Sequence, residues 1–261
     1  RTHGHCPRMC SSNYKNISIS RRTVLILKYQ PAKIKTNMPT CEYCSKSFSR
    51  ESTLAVHMCE PKRRWEQKDN KVHVLAFEIY KRFYEINYSN QKTKQFVDFV
   101  NSQYYRAFIK TAEFITANTP IEIGAFIDWL CTSKIRIDSW PKQGTIDTYI
   151  KHLIRTEGVT QALNRTIITM GEWAEKETAR LEDFFKYVNL NRVTQMIVNG
   201  RISPWVLLNC ETGKEMITIM HDDHIKIIGE IIDPEWWKKT FRKRDEDLDF
   251  VKATLREAGI E

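Results

Sequence analysis

Glycine is scarce in this chain, 9 of 261 residues. None of them forms a loop able to cradle a phosphate, and G-x-S-x-G, H-E-x-x-H and the dinucleotide fingerprint are all missing. Those gaps remove nucleophile-elbow hydrolases, zinc proteases and Rossmann-type dehydrogenases as readings. Isolated Ser, His and Asp residues occur, but no spacing gathers them, so no catalytic residue is assigned. There is no internal repeat. No apolar run approaches the roughly 20 residues of a membrane span. The run Val24-Leu25-Ile26-Leu27 is too short for a signal-peptide core. Acidic residues are absent from residues 1–37, which hold eight Lys or Arg; these account for all but one of the formal net charges of +9. Residues 38–261 are therefore close to neutral. The anionic partner that a pI near 9.1 suggests belongs to the basic tail and to the local run Lys62-Arg63-Arg64.

Against those absences, one stretch declares a chemistry: CEYCSKSFSRESTLAVHMC, Cys41 to Cys59. Cys41 and Cys44 are two residues apart, a spacing that lets a tight turn aim two thiolates at one tetrahedral ion. Twelve residues later comes His57, with Phe48 and Leu54 between, giving C-x2-C-x3-F-x5-L-x2-H. This resembles a two-Cys two-His zinc finger up to its first histidine. In such a finger a hairpin carries the cysteines, a helix carries Leu54 and His57, and Phe48 and Leu54 form a miniature core. So small a unit cannot bury enough apolar surface to fold alone, and the metal supplies the folding free energy. The pattern departs where the fourth ligand is due, at Pro61, Lys62 and Arg63. The available ligand is Cys59, two residues past His57, which closes a three-Cys one-His zinc site if the helix unwinds at Met58. Pro61 agrees with that, because the residue before a proline disfavours helix.

With His57 as the seventh helical position, the finger resemblance assigns base-reading places to Arg50, Thr53 and Val56. Arg50 suits a guanine edge, Thr53 reads weakly, and Lys62, Arg63 and Arg64 suit phosphates. One finger spans about three base pairs, too few for specific binding alone. The competing reading makes the finger a structural clasp or a protein-docking knuckle. Of the other four cysteines, Cys131 and Cys210 fall singly among apolar helical residues and read as buried thiols. This cysteine usage suits a reducing cytosol better than a disulfide framework.

The remaining chain has the composition of a globular protein, 41% hydrophobic and 28% charged. Residues 64–70 read as a polar linker. Helical periodicity then recurs through Val72–Ile86, Phe96–Ile115, Ile123–Leu130, Thr145–Ile154, Thr160–Val188 and Asn191–Val198. Thr119-Pro120-Ile121-Glu122 reads as a capping box, and Ser203-Pro204 and Asp233-Pro234 as capped starts. The aromatics Phe77, Tyr80 and Tyr84 read as core, with base stacking as the alternative. His221 and His224 read as residues capping a helix over Ile225–Ile232, with a metal pair as the alternative. His3, His5, Cys6 and Cys10 fit no ligand spacing. Lys238 to Arg244 reads as a solvated basic face offset by the acids that follow. The expected architecture is mostly all-α: a basic tail over 1–37, a small ββα zinc finger over 38–64, and an irregular multi-helix domain over 65–261.

Beyond the finger, the chain resembles proteins of tailed phages, especially T4-like marine phages. These open with a similar single finger, CEYC-x3-F followed by H-x-C-EPKRR-W. They continue through a helical body with a segment like Tyr104-Tyr105-Arg106-Ala107-Phe108 and later one like Gly200-Arg201-Ile202-Ser203-Pro204-Trp205-Val206-Leu207. The likeness spans residues 38–261, which suggests Met38 as a natural start and residues 1–37 as upstream sequence or a disordered arm. It implies Cys41, Cys44, His57 and Cys59 as zinc ligands, a phage accessory protein in the cytoplasm of an infected bacterium, and no particular reaction. Nucleic acid and a protein remain alternative partners; a membrane is not expected.

Overall fold

A computed structural model describes residues 38–88 and 92–260. The basic tail and its His3, His5, Cys6 and Cys10 lie outside the described residues. The chain is mostly helical. The first helices are short: α1 (Glu51–Ala55) and α2 (Glu60–Glu66) belong to the finger region. No strand forms among the described residues. The predicted hairpin reduces to one antiparallel bridge, Thr40 to Ser47. Its arms are too short for a ladder, since Pro39 has no N–H to donate and Arg50 already caps α1.

The polar linker read over residues 64–70 is shorter than that, because α2 already holds the first three of them and leaves a turn over 67–69. After one turn Asn70 caps α3 (Lys71–Asn87), its side chain accepting from the Val72 N–H at 2.9 Å. Helix α3 buries Ala76, Ile79 and Tyr80 and packs on α5 (Tyr105–Asn118) and α6 (Ile123–Thr132), while α4 (Phe96–Val100) packs on α2 and α3. Phe99, Phe108 and Trp140 fill the space between them. The helix α7 (Gln143–Thr156) forms as its apolar spacing requires, burying Ile146, Tyr149, Ile150 and Ile154.

The capping box at Thr119 is not formed. Thr119 (φ 43°) instead closes α5 in the left-handed region, and Glu122 (φ 53°) precedes α6 in the same region. Tertiary contacts hold this strained turn: Pro120 is buried, and the Tyr149 hydroxyl faces the carbonyls of Ile121 (3.3 Å) and Glu122 (3.4 Å). The long helix read over 160–188 is also shorter. Its first part is α8 (Val159–Glu177), which stops at Thr178 in the left-handed region. The chain then folds back through a 3-10 turn, Leu181–Asp183, into α9 (Phe184–Tyr187), and this turn lets Phe184 meet Trp173 edge-on at 5.2 Å.

The second half is built around a four-residue helix that is wholly buried. Helix α10 (Leu190–Val198) leads into α11 (Pro204–Leu207), where Ser203 accepts from the Trp205 N–H at 3.3 Å. The Ser203 N–H donates in turn to the Thr166 hydroxyl at 2.9 Å, so burial leaves neither group unpaired. Around α11 lie α8, α12 (Glu211–Ile219) and the C-terminal α15 (Asp245–Glu257), while α13 (Asp222–Ile228) packs on α10. Asp233 caps α14 (Pro234–Lys243), which seats Trp237 against Trp205 at 5.5 Å. No described helix is long and apolar enough to cross a membrane.

Candidate metal centre

Pro39 to Phe48 fold into a knuckle. The Cys41 N–H donates to the Lys46 carbonyl (2.9 Å), the Ser45 N–H to the Cys41 carbonyl (2.8 Å), and the Phe48 N–H to the Pro39 carbonyl (2.8 Å). Closing so tight a turn drives Ser45 to φ 58°, left-handed backbone that costs a non-glycine residue about 1–2 kcal/mol. Across from the knuckle, α1 starts at Glu51 with Arg50 as its cap, but ends at Ala55. His57 therefore lies past the helix that was expected to carry it, and His57-Met58-Cys59 is irregular chain. Cys59 is the N-cap residue of α2, and Pro61 sits in that helix's first turn, where its missing N–H costs nothing.

This path brings four donors together. The Sγ atoms of Cys41, Cys44 and Cys59 and a ring nitrogen of His57 all lie within 4.8 Å of one another. Cys41 Sγ is 3.8 Å from Cys59 Sγ, and Cys44 Sγ is 3.3 Å from His57 Nε2. A tetrahedron with Zn–S of about 2.3 Å and Zn–N of about 2.0 Å has S–S edges of about 3.8 Å and S–N edges of about 3.5 Å. The donor set fits such an ion in chemistry, and these two separations match its edges. The ring of Phe48 packs on that of His57 at 4.7 Å. Burial pushes the Cys41 thiol up, but the backbone amides of Cys44 and Tyr43 and the neighbouring thiols outweigh it and hold Cys41 below the ordinary thiol value. Cys59 moves the other way, raised by burial and by the facing Cys44 and Cys41.

The surface residues named from the sequence divide. Arg50, Thr53 and Arg63 are exposed, Lys62 is half-buried, and Val56 is 81% exposed. Arg64 turns inward. Its Nη1 donates to the Val100 carbonyl (2.7 Å), its Nε to Glu60 (3.3 Å), and the guanidinium lies 4.3 Å over the Tyr105 ring. Arg64 therefore fastens α2 to the helical body and does not serve as a free phosphate contact. Beside it, Trp65 lies between Tyr43 of the knuckle (6.0 Å) and Phe96 of α4 (5.5 Å). The sequence reading missed Trp65; its signal was a lone large aromatic in an otherwise charged stretch.

The second half offers no comparable cluster among the described residues. His221 is the N-cap residue of α13, which spans Asp222–Ile228 and so starts and ends earlier than the reading placed it, while His224 Nε2 lies 2.8 Å from Asn191. Cys131 and Cys210 are buried free thiols, with burial pushing Cys131 up to about 12 and Cys210 upward too. Arg244 is paired with Asp247 and stacked 4.8 Å over Trp205. No family model matches the chain, and no curated protein or solved structure matches it.

Proposed function

We propose that Cys41, Cys44, His57 and Cys59 hold a structural zinc ion in a reduced ββα-type finger, and that the finger contacts nucleic acid with low sequence specificity in a phage accessory protein. Four protein donors leave the ion no open position, which suits a structural rather than a catalytic site. The ion's role is to fix the knuckle, α1 and the start of α2 in one arrangement. The observation that carries the nucleic-acid reading is the state of the cations around the cluster. Arg50, Lys62 and Arg63 make no salt bridge among the described residues, whereas Arg64 is held by Glu60 and the helical body. Three free cations and one weak base reader, Thr53, make a small footprint governed by charge. Titrating a labelled duplex at several salt concentrations tests this. The log–log salt slope should lie near −3, about −0.9 per neutralised phosphate, and flatten towards zero in an Arg50→Ala, Lys62→Ala, Arg63→Ala triple variant. Unchanged affinity in that variant would sink the reading.

A second reading makes the finger a protein-docking knuckle, and it rests on Val56 and Met58, which are 81% and 42% exposed beside the cluster. It expects a partner captured from infected-cell extract that survives nuclease and is lost on Val56→Ser.

A further inference from the structure

The tyrosines of α3 change character along the helix. Tyr80 and Tyr84 share a face of α3 at i, i+4 spacing, and Tyr88 is the residue that ends the helix just beyond them. Tyr80 is core, 3% exposed, while Tyr88 is 47% exposed. The rings of Tyr84 and Tyr88 lie 5.3 Å apart at 30°. They floor a cavity of about 200 Å³ whose walls carry Lys81, Lys92, Lys94 and Glu85. Glu85 faces Arg82 at 3.6 Å, and Lys81 pairs with Glu78 at 2.9 Å. Lys92 and Lys94 make no salt bridge among the described residues, and Lys94 Nζ sits 4.7 Å above the Tyr84 ring. The result is an open aromatic floor beside two ammonium groups that make no salt bridge among the described residues, with Glu85, turned to Arg82, as the one carboxylate in the lining.

We propose that this cavity is a binding site for one nucleotide of a single-stranded nucleic acid, its base stacked on Tyr88 and Tyr84 and its phosphate between Lys92 and Lys94. Size favours one ring over a whole small molecule, since pockets for the latter run to about 300 Å³ or more. Single strands are favoured over duplex because a stacked base pair hides the face that an aromatic floor needs. Charge favours a phosphate over an apolar side chain. The site stands on the helical body and owes nothing to the metal cluster, so it extends the finger reading without depending on it.

Fluorescence anisotropy with labelled single-stranded DNA and RNA of about 12 nucleotides, against a duplex of the same length, tests the site in the full chain. Single strands should bind more tightly than the duplex. Tyr88→Ala should lose about tenfold in affinity, from one lost base stack, while Tyr88→Phe keeps the ring and the binding. Lys92→Ala with Lys94→Ala should flatten the single-strand salt slope by about 1.4. Photocrosslinking with an iodouracil-substituted strand should label the peptide holding Tyr84 and Tyr88. Tyr88 and Lys92 are exposed, so unchanged thermal melts will show these variants folded. Equal affinity in Tyr88→Ala, or no crosslink on the peptide holding Tyr84 and Tyr88, would overturn the proposal, as would polyglutamate competing as well as the oligonucleotide. If only the Arg50, Lys62, Arg63 triple variant loses binding, this site is gone and the finger reading stands. If only the tyrosine and lysine variants lose it, the finger reading is the one that fails.

Discussion

Residues 38–59 bury one apolar side chain, Cys41, and Cys41 is itself a proposed ligand; the connected apolar core begins only at Ala76 and runs to Ile260. The two regions are one chain with two different sources of stability. The body closes over Trp140, Trp205, Trp237 and a set of phenylalanines, each burying on the order of 2–3 kcal/mol of transfer free energy or more. The finger has Phe48 half-covered on His57 and Leu54 half-exposed, which leaves the proposed metal as the only large favourable contribution open to it. Between them, α2 belongs to both: its N-cap is the proposed fourth ligand and its Arg64 and Trp65 dock on α4 and α5.

The sharpest way to break this comparison is to remove the metal. A structural zinc site carries apparent binding free energies of about 10–16 kcal/mol in small fingers, far more than any apolar group in residues 38–59 provides. Chelation, or Cys59→Ser, should release stoichiometric zinc, expose Cys41 and Cys44 to alkylation, and leave most far-UV helical signal in place. Acidification should act the same way, because the three thiols and the imidazole must shed protons to bind. Purified protein without zinc whose thiols alkylate at once would end the finger reading. A body that melts together with the finger would show that the two regions are not separate in stability.

The body has its own weak point, of a kind the finger lacks. Glu157 is buried, its side chain 1% exposed, and takes both guanidinium arms of Arg165 at 2.6 and 2.8 Å, while Arg165 Nε donates to the Gly200 carbonyl at 2.7 Å. This pair ties the start of α8 to the Gly200 turn. Glu157→Gln strands a buried cation and should cost about 3–5 kcal/mol, read as a lower Tm of the helical signal with zinc content unchanged. Loss of zinc from this variant would count against independent regions.

How far this was legible from sequence follows the same division. Ligand spacing is a local property, so the convergence of Cys41, Cys44, His57 and Cys59 was readable, and amphipathic stretches such as α7 declared themselves. So did the caps Ser203 and Asp233, which act within two or three residues. What escaped was decided at a distance. Thr119 to Glu122 carries every local sign of a capping box, yet the contacts from Tyr149 and the burial of Pro120 hold another backbone. Arg64 reads as one of three equivalent cations until Val100 and Tyr105, some forty residues on, claim it. His57 falls off α1 because reaching Cys59 and α2 matters more than one further helical turn. Tyr84 and Tyr88 share Tyr80's spacing, and only the packed structure shows where along α3 the core ends.

The joint between the regions gives a smaller effect. Trp65→Ala removes the contact from Tyr43 to Phe96 at a half-buried site, so it should cost about 2 kcal/mol, below the 3–5 of a fully buried aromatic. Zinc should stay bound and the core should keep its melting point, while hydrogen exchange in α2 and proteolysis near Gln67 to Asn70 accelerate. Proteolysis no faster than in the parent would mean that Arg64 alone holds the joint.

The smallest effect has the opposite sign and separates the regions most cleanly. Ser45 holds φ 58° so that its N–H can reach the Cys41 carbonyl, a conformation that glycine adopts without a Cβ penalty. Ser45→Gly therefore relieves strain in the folded knuckle, though it also loosens the unfolded chain, and the net gain should be about 1 kcal/mol. Because finger folding and metal binding are one equilibrium, that gain should appear as roughly fivefold tighter zinc in a chelator competition, at 1.4 kcal/mol per decade. The body's Tm should not move, since the buried core begins only at Ala76. Tighter zinc with an unmoved core is what separate stabilities require; weaker zinc would mean that the serine side chain supports the knuckle in a way its backbone strain conceals.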